Sequence, residues 1–240
     1  MDPVQFWYLP LTPTFFLILV VLFVLFVLLP LRLMRYAYEQ LGLSHGAAVL
    51  LLLGSLIGSL INIPIAVISQ KAAITDQVVA FFGVQYQIPR ATDWGGTVLA
   101  VNVGGAVIPV IMSLYLLIRW QFWWKGLLAT AAVAAVCYAV SSPVQGVGIA
   151  VPIFVPVIAA TIAALVLAPG HAAPLAYIAG SLGALIGADL MNFDKLADLG
   201  APILSIGGAG TFDGIFITGM AAVLIASIPS RHAGTMPKVS

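Results

Sequence analysis

Asp189 and Asp213 are the residues best suited to chemistry in this sequence, because each borders a long apolar run. Asp189 closes a run that starts at Gly183, and Asp213 follows a glycine-rich stretch that starts at Gly207. If consecutive antiparallel helices carry the two carboxyl groups, both lie at one level of the fold. Two carboxylates within several ångströms in a low dielectric cannot both stay ionised, so one keeps its proton near neutral pH. Such a pair could bind a proton or cation, or serve as the acid and base of a hydrolase.

A simpler interpretation of the same residues has equal weight. Thr211 or Asp213 could cap the N-terminus of a helix, where the dipole and the free N–H groups favour a carboxylate. Asp189 could be an interfacial residue that faces water. In that case both acids contribute to folding and not to a functional site.

Polar and small residues near these acids complete the predicted site. Amide and hydroxyl groups within apolar runs are expected to line a solute path, and glycines let helix backbones approach closely. The predicted lining residues are Asn62, Asn102, Asn192 and Thr211. The glycines predicted to serve packing or close backbone approach are Gly54, Gly58, Gly183, Gly187, Gly207, Gly208, Gly210 and Gly214.

The composition indicates that these residues belong to a membrane protein. Of 240 residues, 62% are apolar and 7% are charged, against roughly 25% charged in soluble domains. This excludes a soluble fold, and the net charge of +1 predicts no nucleic-acid partner. The motifs of nucleotide, dinucleotide and zinc sites are missing, so we expect no cofactor and no metal. Cys137 is the only cysteine, which excludes an intrachain disulfide.

Apolar runs of about 20 residues, enough to cross a hydrocarbon core about 30 Å thick, predict the elements that position the site. Because backbone polar groups inside lipid must be bonded within each segment, we predict an all-α polytopic bundle and one membrane domain, residues 1–240. Residues 141–156, with several Pro and Gly, form either a tight turn or an unwound re-entrant segment. The seven predicted spans are about residues 14–32, 46–68, 96–118, 124–140, 149–168, 172–191 and 206–228.

The lysines and arginines of the short loops favour an outside N-terminus and an inside C-terminus. In that orientation the inner side receives six basic residues and the outer side three. Trp120, Phe122, Trp123 and Trp124 then form an aromatic belt at the inner surface. The inner basic residues are Arg32, Arg35, Arg119, Lys125, Arg231 and Lys238, and the outer ones are Lys71, Arg90 and Lys195.

Spans 2 and 3 resemble spans 6 and 7 in the order of their small and polar residues. Residues 54–62 and 183–192 both contain Gly-x-x-x-Gly and end in Asn, and residues 95–105 and 207–214 both begin with two glycines. A parallel repeat about an axis along the membrane normal, as in many transporters, would explain this. Chance similarity between small-residue helices is the alternative. A repeat would place one outer polar site among Asn62, Asn102, Asp189 and Asp213.

Residues 205–216, Ser-Ile-Gly-Gly-Ala-Gly-Thr-Phe-Asp-Gly-Ile-Phe, carry a specific resemblance to a known family. Together with residues 102–109, 146–152 and 183–192, they resemble a prokaryotic membrane family, domain of unknown function 1614. The resemblance covers roughly spans 2 to 7. It implies a location in the cytoplasmic membrane of a prokaryote, and it implies no activity.

Asp189 and Asp213 also bear a distant similarity to the catalytic pair of intramembrane aspartyl proteases of presenilin and prepilin-peptidase type. Those enzymes carry one aspartate in one helix and a second in Gly-x-Gly-Asp near the start of a later helix. Here the sequence Gly-Ala-Gly at residues 208–210 precedes Asp213 by two residues too many, and no Pro-Ala-Leu motif follows. The similarity implies catalytic roles for both aspartates only if the protein is a hydrolase.

Three functions stay open. The first, which the residues favour, is a carrier for a small solute or ion that uses Asp189 and Asp213 as its proton or cation site. The second is an intramembrane hydrolase that cleaves a membrane peptide and needs both acids. The third is a noncatalytic scaffold, in which glycines pack helices and acids cap them. The expected partner is the lipid bilayer in each case, and no oligomeric state is predicted.

Overall fold

Apolar helices make up most of the fold, which is a computed structural model that describes residues 13–69, 78–81, 84–87, 97–144, 148–196, 203–208 and 214–228. A side-chain cap or a left-handed backbone conformation defines the ends of some of these helices. Ser44 accepts a hydrogen bond from the Ala47 N–H at the start of one helix, and Gln121 ends another in the left-handed conformation. The helices are α1 (Pro13–Phe23), α2 (Leu29–Gln40), α3 (His45–Gly58), α4 (Ile108–Trp120), α5 (Trp123–Val140), α6 (Phe154–Leu167), α7 (Ala172–Ala184), α8 (Phe193–Leu196) and α9 (Gly214–Ala226).

Short π-helical and 3₁₀ turns extend several of these helices. The π-helical turn Val24–Leu28 joins α1 to α2, Val103–Val107 precedes α4, and Leu185–Asp189 continues α7. The 3₁₀ turns Pro169–His171 and Leu190–Asn192 lie at the two ends of the α7 segment. Because π-helical turns often mark functional sites, the one that ends at Asp189 is the most relevant here.

Several helices have the length and composition of membrane spans, in agreement with a membrane location. Three further apolar helices, α3, α6 and α9, have 13 or 14 residues, which corresponds to about 20 Å at 1.5 Å per residue. Within the described residues, the segments long and apolar enough to cross a bilayer are Phe15–Gln40, Val103–Trp120, Trp123–Val140 and Pro169–Lys195.

A β-sheet corrects the expectation of an all-α fold. Residues 62–68 were expected to continue span 2, and residues 97–102 to begin span 3, but both segments are strands. The hydropathy of a short apolar run does not distinguish a buried strand from a helix. Here the β-branched residues and Pro64 favour the strand. Pro64 lies in an edge strand, next to an irregularity in the pairing with the neighbouring strand, and proline is tolerated at such places. The strands are β1 (Asn62–Ser69), β2 (Val78–Phe81), β3 (Val84–Gln87), β4 (Thr97–Asn102), β5 (Ser142–Val144), β6 (Gly148–Ala150) and β7 (Ile203–Ile206).

The main sheet has three strands in the order β1, β4, β7. Strands β1 and β4 are antiparallel, with Asn62 opposite Asn102. Strands β4 and β7 are parallel, with Ala100 opposite Ser205. The pairs β2–β3 and β5–β6 form separate antiparallel hairpins, so the segment at 141–156, for which a turn and an unwound segment were the alternatives, contains a hairpin.

The bundle has two distinct ends. At the turn end, Trp120 lies 4.7 Å from His171 between ring centroids, and a Cβ added at Gly42 would lie 3.5 Å from the Trp120 ring. The turns that meet there are residues 41–44, 121–122 and 168–171. We call the opposite end, which carries the three-stranded sheet, the sheet end.

Helix α7 forms the centre of the core. Twelve of its thirteen residues are buried, and it packs against α4, α5, α6 and α9. Its alanines and glycines permit this, because small side chains let several helices approach one backbone. By contrast, the apolar side chains of residues 16–29 are exposed, as suits a helix surrounded by lipid.

Candidate functional site

A cavity of about 320 Å³ lies at the sheet end of the bundle. Its walls come from β4, β6 and β7, from the start of α6, and from the facing ends of α7 and α9. A volume of this size holds about ten water molecules or one small organic molecule. The residues with polar side chains that line it are Asp189, Ser205 and Thr218.

The Asp189 carboxylate is positioned by a backbone group of another element. The Gly207 N–H donates a hydrogen bond of 2.8 Å to Asp189 Oδ2. Gly207 follows β7 with φ of +88°, and a Cβ there would lie 2.7 Å from Ala106. Glycine therefore meets both the left-handed conformation and the close approach at this position.

Asp189 has no basic partner among the residues that the structure describes. The ion pairs found there join Glu39 to Arg35 and to His45, at the turn end. Lys195, which is near in sequence, instead donates to Asn192 Oδ1 at 2.7 Å. Among the described residues, the Gly207 N–H is thus the group that stabilises the charge of an ionised Asp189.

A polar network beside the cavity joins two of the predicted lining residues. Asn102 Nδ2 donates to Asn62 Oδ1 at 3.0 Å and to the Ser59 carbonyl at 2.8 Å. Asn102 Oδ1 accepts from the Gly105 N–H at 2.7 Å, and Ser205 Oγ donates to Asn62 Oδ1 at 2.6 Å. Neither asparagine lines the cavity. They fix the start of the α4 segment and the position of β7.

Asn192 lies apart from this network. Its amide nitrogen donates to Ser141 Oγ at 2.9 Å and to the carbonyls of Gly187 and Ala188. It is fully buried, and it ties the end of the α7 segment to the end of α5. The structure therefore brings Asn62 and Asn102 together and leaves Asn192 elsewhere.

Three predicted site residues, Gly210, Thr211 and Asp213, lie outside the described residues. The separation of the Asp189 and Asp213 carboxyl groups therefore stays a prediction. Among the described residues, no group of three or more His, Cys, Asp or Glu side chains could hold a metal ion.

The cavity and its lining residues fall within a recognised sequence family. A family model described as protein of unknown function, DUF1614, matches residues 56–225, which is more than half of the chain. The chain belongs to the DUF1614 family. This confirms the resemblance seen in residues 205–216, whereas the similarity to aspartyl proteases was not shown. No curated protein and no solved structure matched the chain.

The predicted glycines of this DUF1614 protein differ in how closely they are packed. A Cβ at Gly183 would lie 2.6 Å from Val133, and one at Gly187 would overlap the Ala134 carbonyl. A Cβ at Gly58 would lie 3.1 Å from the Gly104 nitrogen, but one at Gly214 would meet no atom of the described residues within 4 Å. Gly54 makes an ordinary contact with Ile108, and Gly208 adopts a φ of +82°.

Sequence reasoning missed several groups of the DUF1614 site. Ser205 and Thr218 were not predicted to line a cavity, although Ser205 belongs to the family segment. The Gly207 N–H was missed as a donor because backbone groups have no side-chain signature. The signal that could have revealed Ser205 is its place as a hydroxyl residue between the apolar Leu204 and Ile206.

Proposed function

We propose that this DUF1614 protein is a membrane carrier or permeation protein for a proton or small cation, with Asp189 as the binding group. The observation that carries the proposal is a carboxylate at the wall of a cavity, at the end of an apolar helical segment, with no basic partner among the described residues. A cation or proton in the cavity would supply the missing counter-charge.

The energetics of the membrane support a binding role. Asp189 lies within the candidate span Pro169–Lys195, and an ionisable residue inside a span is costly and is by default a candidate for function. A structural carboxylate usually accepts several hydrogen bonds or pairs with a cation. Asp189 accepts one described bond, from Gly207, so its second oxygen remains available for a ligand.

The position of this carboxylate at an irregular helical turn supports a carrier role. Asp189 ends a π-helical turn, and irregular helix within a span is tolerated chiefly where it lines a cavity. Transporters commonly build their binding sites at such interrupted helices. The proposed site includes Asp213 as a second acid, in keeping with its position after β7 in the sequence.

We further propose that all seven apolar helices cross the bilayer, with the N-terminus outside and the C-terminus inside the cytoplasmic membrane of a prokaryote. Arg119 and Lys125 lie at the turn end close in sequence to exposed Trp123 and Trp124, and Lys125 Nζ lies 5.7 Å from the centroid of the Trp124 ring. Basic and aromatic residues of this kind are expected at the inner surface. Helices α3, α6 and α9 are shorter than a full span. They would cross the bilayer only if it is locally thinner or if adjacent strands cover part of its thickness.

The parallel repeat is also part of the proposal. Strands β4 and β7 are neighbours, run in the same direction, and each precedes an apolar helix that returns toward the turn end. Related halves arranged about a membrane normal would have this relation. The pairing places residue 98 opposite residue 203, which offers a register for testing equivalence between the halves.

Reconstitution in liposomes tests the proposed function. Flux of radiolabelled Na⁺, and separately of protons with an internal pH-sensitive dye, is measured for the wild type, Asp189→Asn and Asp194→Asn. Asp194 is an exposed acid on α8, so its variant controls for loss of one negative charge. We expect Asp189→Asn to abolish the flux and Asp194→Asn to retain it. Equal flux in all three proteins would reject the proposal, and no flux of either ion would favour a scaffold.

A further inference from the structure

A second concave surface, a long apolar groove, lies on the outside of the bundle between α5 and α6. Its volume is about 750 Å³, and every residue that lines it has an apolar side chain. Ala132 of α5 and Ala159 and Ala163 of α6 lie among larger Leu, Ile and Val side chains in its lining. Because alanine side chains are shorter than these neighbours, the surface is concave along the line where the two helices meet. We call this surface the α5–α6 groove.

The length and the openness of the α5–α6 groove fit a lipid acyl chain. Its lining on α6 runs from Val155 to Leu167, which is about 18 Å at 1.5 Å per residue. One leaflet supplies half of a hydrocarbon core about 30 Å thick, or about 15 Å. The lining side chains of Ile158, Ile162 and Val166 are 54, 57 and 73% exposed, so the groove is open along its side. A lipid chain can therefore enter from the bilayer and lie along both helices.

One basic side chain lies where the groove reaches the turn end. Lys125 precedes Leu128 by three residues and Ala132 by seven, so it shares their face of α5. The ion pairs found among the described residues involve Glu39, and Lys125 has no carboxylate partner there. Lys125 also lies in the first turn of α5, where the positive end of the helix dipole adds to its charge. The turn end of the groove therefore favours an anionic group.

A phospholipid matches this arrangement better than a second copy of the chain does. A phospholipid carries an apolar chain and, at one end of it, a phosphate, in the same order as the groove and Lys125. A second copy would need a free carboxylate to meet Lys125. Glu39, the described acid at the turn end, is already in ion pairs, and the other described acids, Asp189 and Asp194, lie at the sheet end.

We propose that the α5–α6 groove binds an anionic phospholipid, whose acyl chain lies along the groove and whose phosphate contacts Lys125. Basic residues beside membrane helices attract anionic headgroups, and basic pockets between such helices bind them specifically. This lipid site is separate from the Asp189 cavity, which lies at the sheet end, and it does not depend on the carrier function.

Native mass spectrometry of the whole protein in detergent tests the headgroup part of the site. Phosphatidylglycerol, which has a net negative charge, and phosphatidylcholine, which has none, are titrated separately with identical acyl chains. We expect one saturable phosphatidylglycerol site with an affinity about fivefold above that for phosphatidylcholine, the preference that one lysine near the surface provides. Lys125→Gln should remove this preference. Arg119→Gln, which removes an exposed basic side chain at the same end, should retain it.

Ala132→Trp tests the apolar part of the site in the same titration. Ala132 is exposed and lines the groove, so a tryptophan there fills the groove without entering the core, and the binding of both lipids should be lost. Ala131→Trp is the matched control, because Ala131 is also exposed on α5 but does not line the groove. Thermal unfolding verifies that each variant is folded.

The outcomes decide between the lipid and other occupants of the groove. Equal affinity of the wild type for the two lipids overturns the proposal, as does equal phosphatidylglycerol binding in the wild type, Lys125→Gln and Ala132→Trp. An equal loss in Arg119→Gln and Lys125→Gln would show a diffuse attraction to the turn end and would also overturn it. A wild-type dimer that Ala132→Trp dissociates would show that a second copy fills the groove instead.

Discussion

Two neighbouring strands, β4 and β7, run parallel and each leads toward an apolar helix, but the two junctions differ. After β4, the Asn102 side chain makes three hydrogen bonds within the protein and starts the helical segment directly. After β7, the Gly207 N–H donates a hydrogen bond to Asp189, which lies on a different helical segment and beside the cavity. At the first junction the Asn102 side chain is bonded inside the protein. At the second junction the Asp189 carboxylate has one described hydrogen bond and can still bind a ligand.

This difference indicates how the polar groups at the sheet end divide their roles. The buried Asn102 amide uses both of its N–H groups and its oxygen in bonds inside the protein, so it serves the fold. A carboxylate with one described hydrogen bond and no described cation can exchange partners. The comparison predicts that changes at the first junction alter stability, and that changes at the second alter ion binding.

The largest expected effect is that of Gly104→Ala at the β4 junction. The new Cβ would overlap the Ser55 carbonyl and lie 2.8 Å from the Ser59 Cα, so backbone must move, at a cost of about 3 kcal/mol or more. Thermal unfolding in detergent should show a clear loss of stability or no folded protein. Gly214→Ala beyond β7 is the matched control, because its Cβ would meet no atom within 4 Å in the part of the chain that the structure describes. Equal melting temperatures for the two variants would contradict the contrast between the junctions.

Asn102→Ala should have the next largest effect. It leaves the Gly105 N–H and the Ser59 carbonyl without their partner in a fully buried place, which should destabilise the protein by about 3 kcal/mol. Asn62→Ala, at the partly exposed end of the same network, should cost about 1 kcal/mol. Chemical unfolding measures both, and the reverse order would show that the network is anchored at Asn62.

Local sequence patterns predicted some of this architecture well. Helix α5 spans Trp123–Val140, close to the predicted 124–140, because residues 126–140 carry no charge and lie between Lys125 and the proline-containing turn that follows. Asp189 was found because an ionisable residue stands out in an apolar run. The composition predicted apolar helices compatible with a membrane location, and a specific string of residues predicted the DUF1614 membership.

The strands and the contacts of the site could not be predicted in the same way. Residues 62–69 and 97–102 are apolar enough for a span, and hydropathy does not separate a short buried strand from a helix. The Asn62–Ser205 hydrogen bond joins residues that are 143 positions apart in the sequence, so no local sequence pattern predicts it. The bond from Gly207 to Asp189 uses a backbone N–H, which every non-proline residue possesses.

Ser205→Cys should reduce stability less than Gly104→Ala and Asn102→Ala, and it tests whether water reaches the cavity at the second junction. The loss of the hydrogen bond to Asn62 should cost about 1 kcal/mol, and the thiol at the cavity wall should react with a membrane-impermeant maleimide. Native Cys137 is buried, so background labelling should be low. Ala222→Cys, at a fully buried position in α9, should stay unlabelled. An unreactive thiol at position 205 in a folded protein would show that the cavity is closed to water.

The smallest effect on stability is expected for Asp189→Asn. The amide oxygen can still accept the hydrogen bond from Gly207, and the shape is retained, so the free energy of unfolding should change by less than about 0.5 kcal/mol. Thermal unfolding with and without salt measures this. Strong destabilisation would mean that the carboxylate is a structural group like Asn102, and the contrast between the junctions would fail.

Infrared difference spectroscopy of the reconstituted protein tests the central claim most directly, because carboxyl bands report proton or cation binding at the group itself. Spectra are recorded on addition of protons or Na⁺ to the wild type, Asp189→Asn and Asp194→Asn. We expect a carboxyl difference band in the wild type and in Asp194→Asn that is absent from Asp189→Asn. The same band in folded Asp189→Asn would contradict the assignment of Asp189 as the binding group.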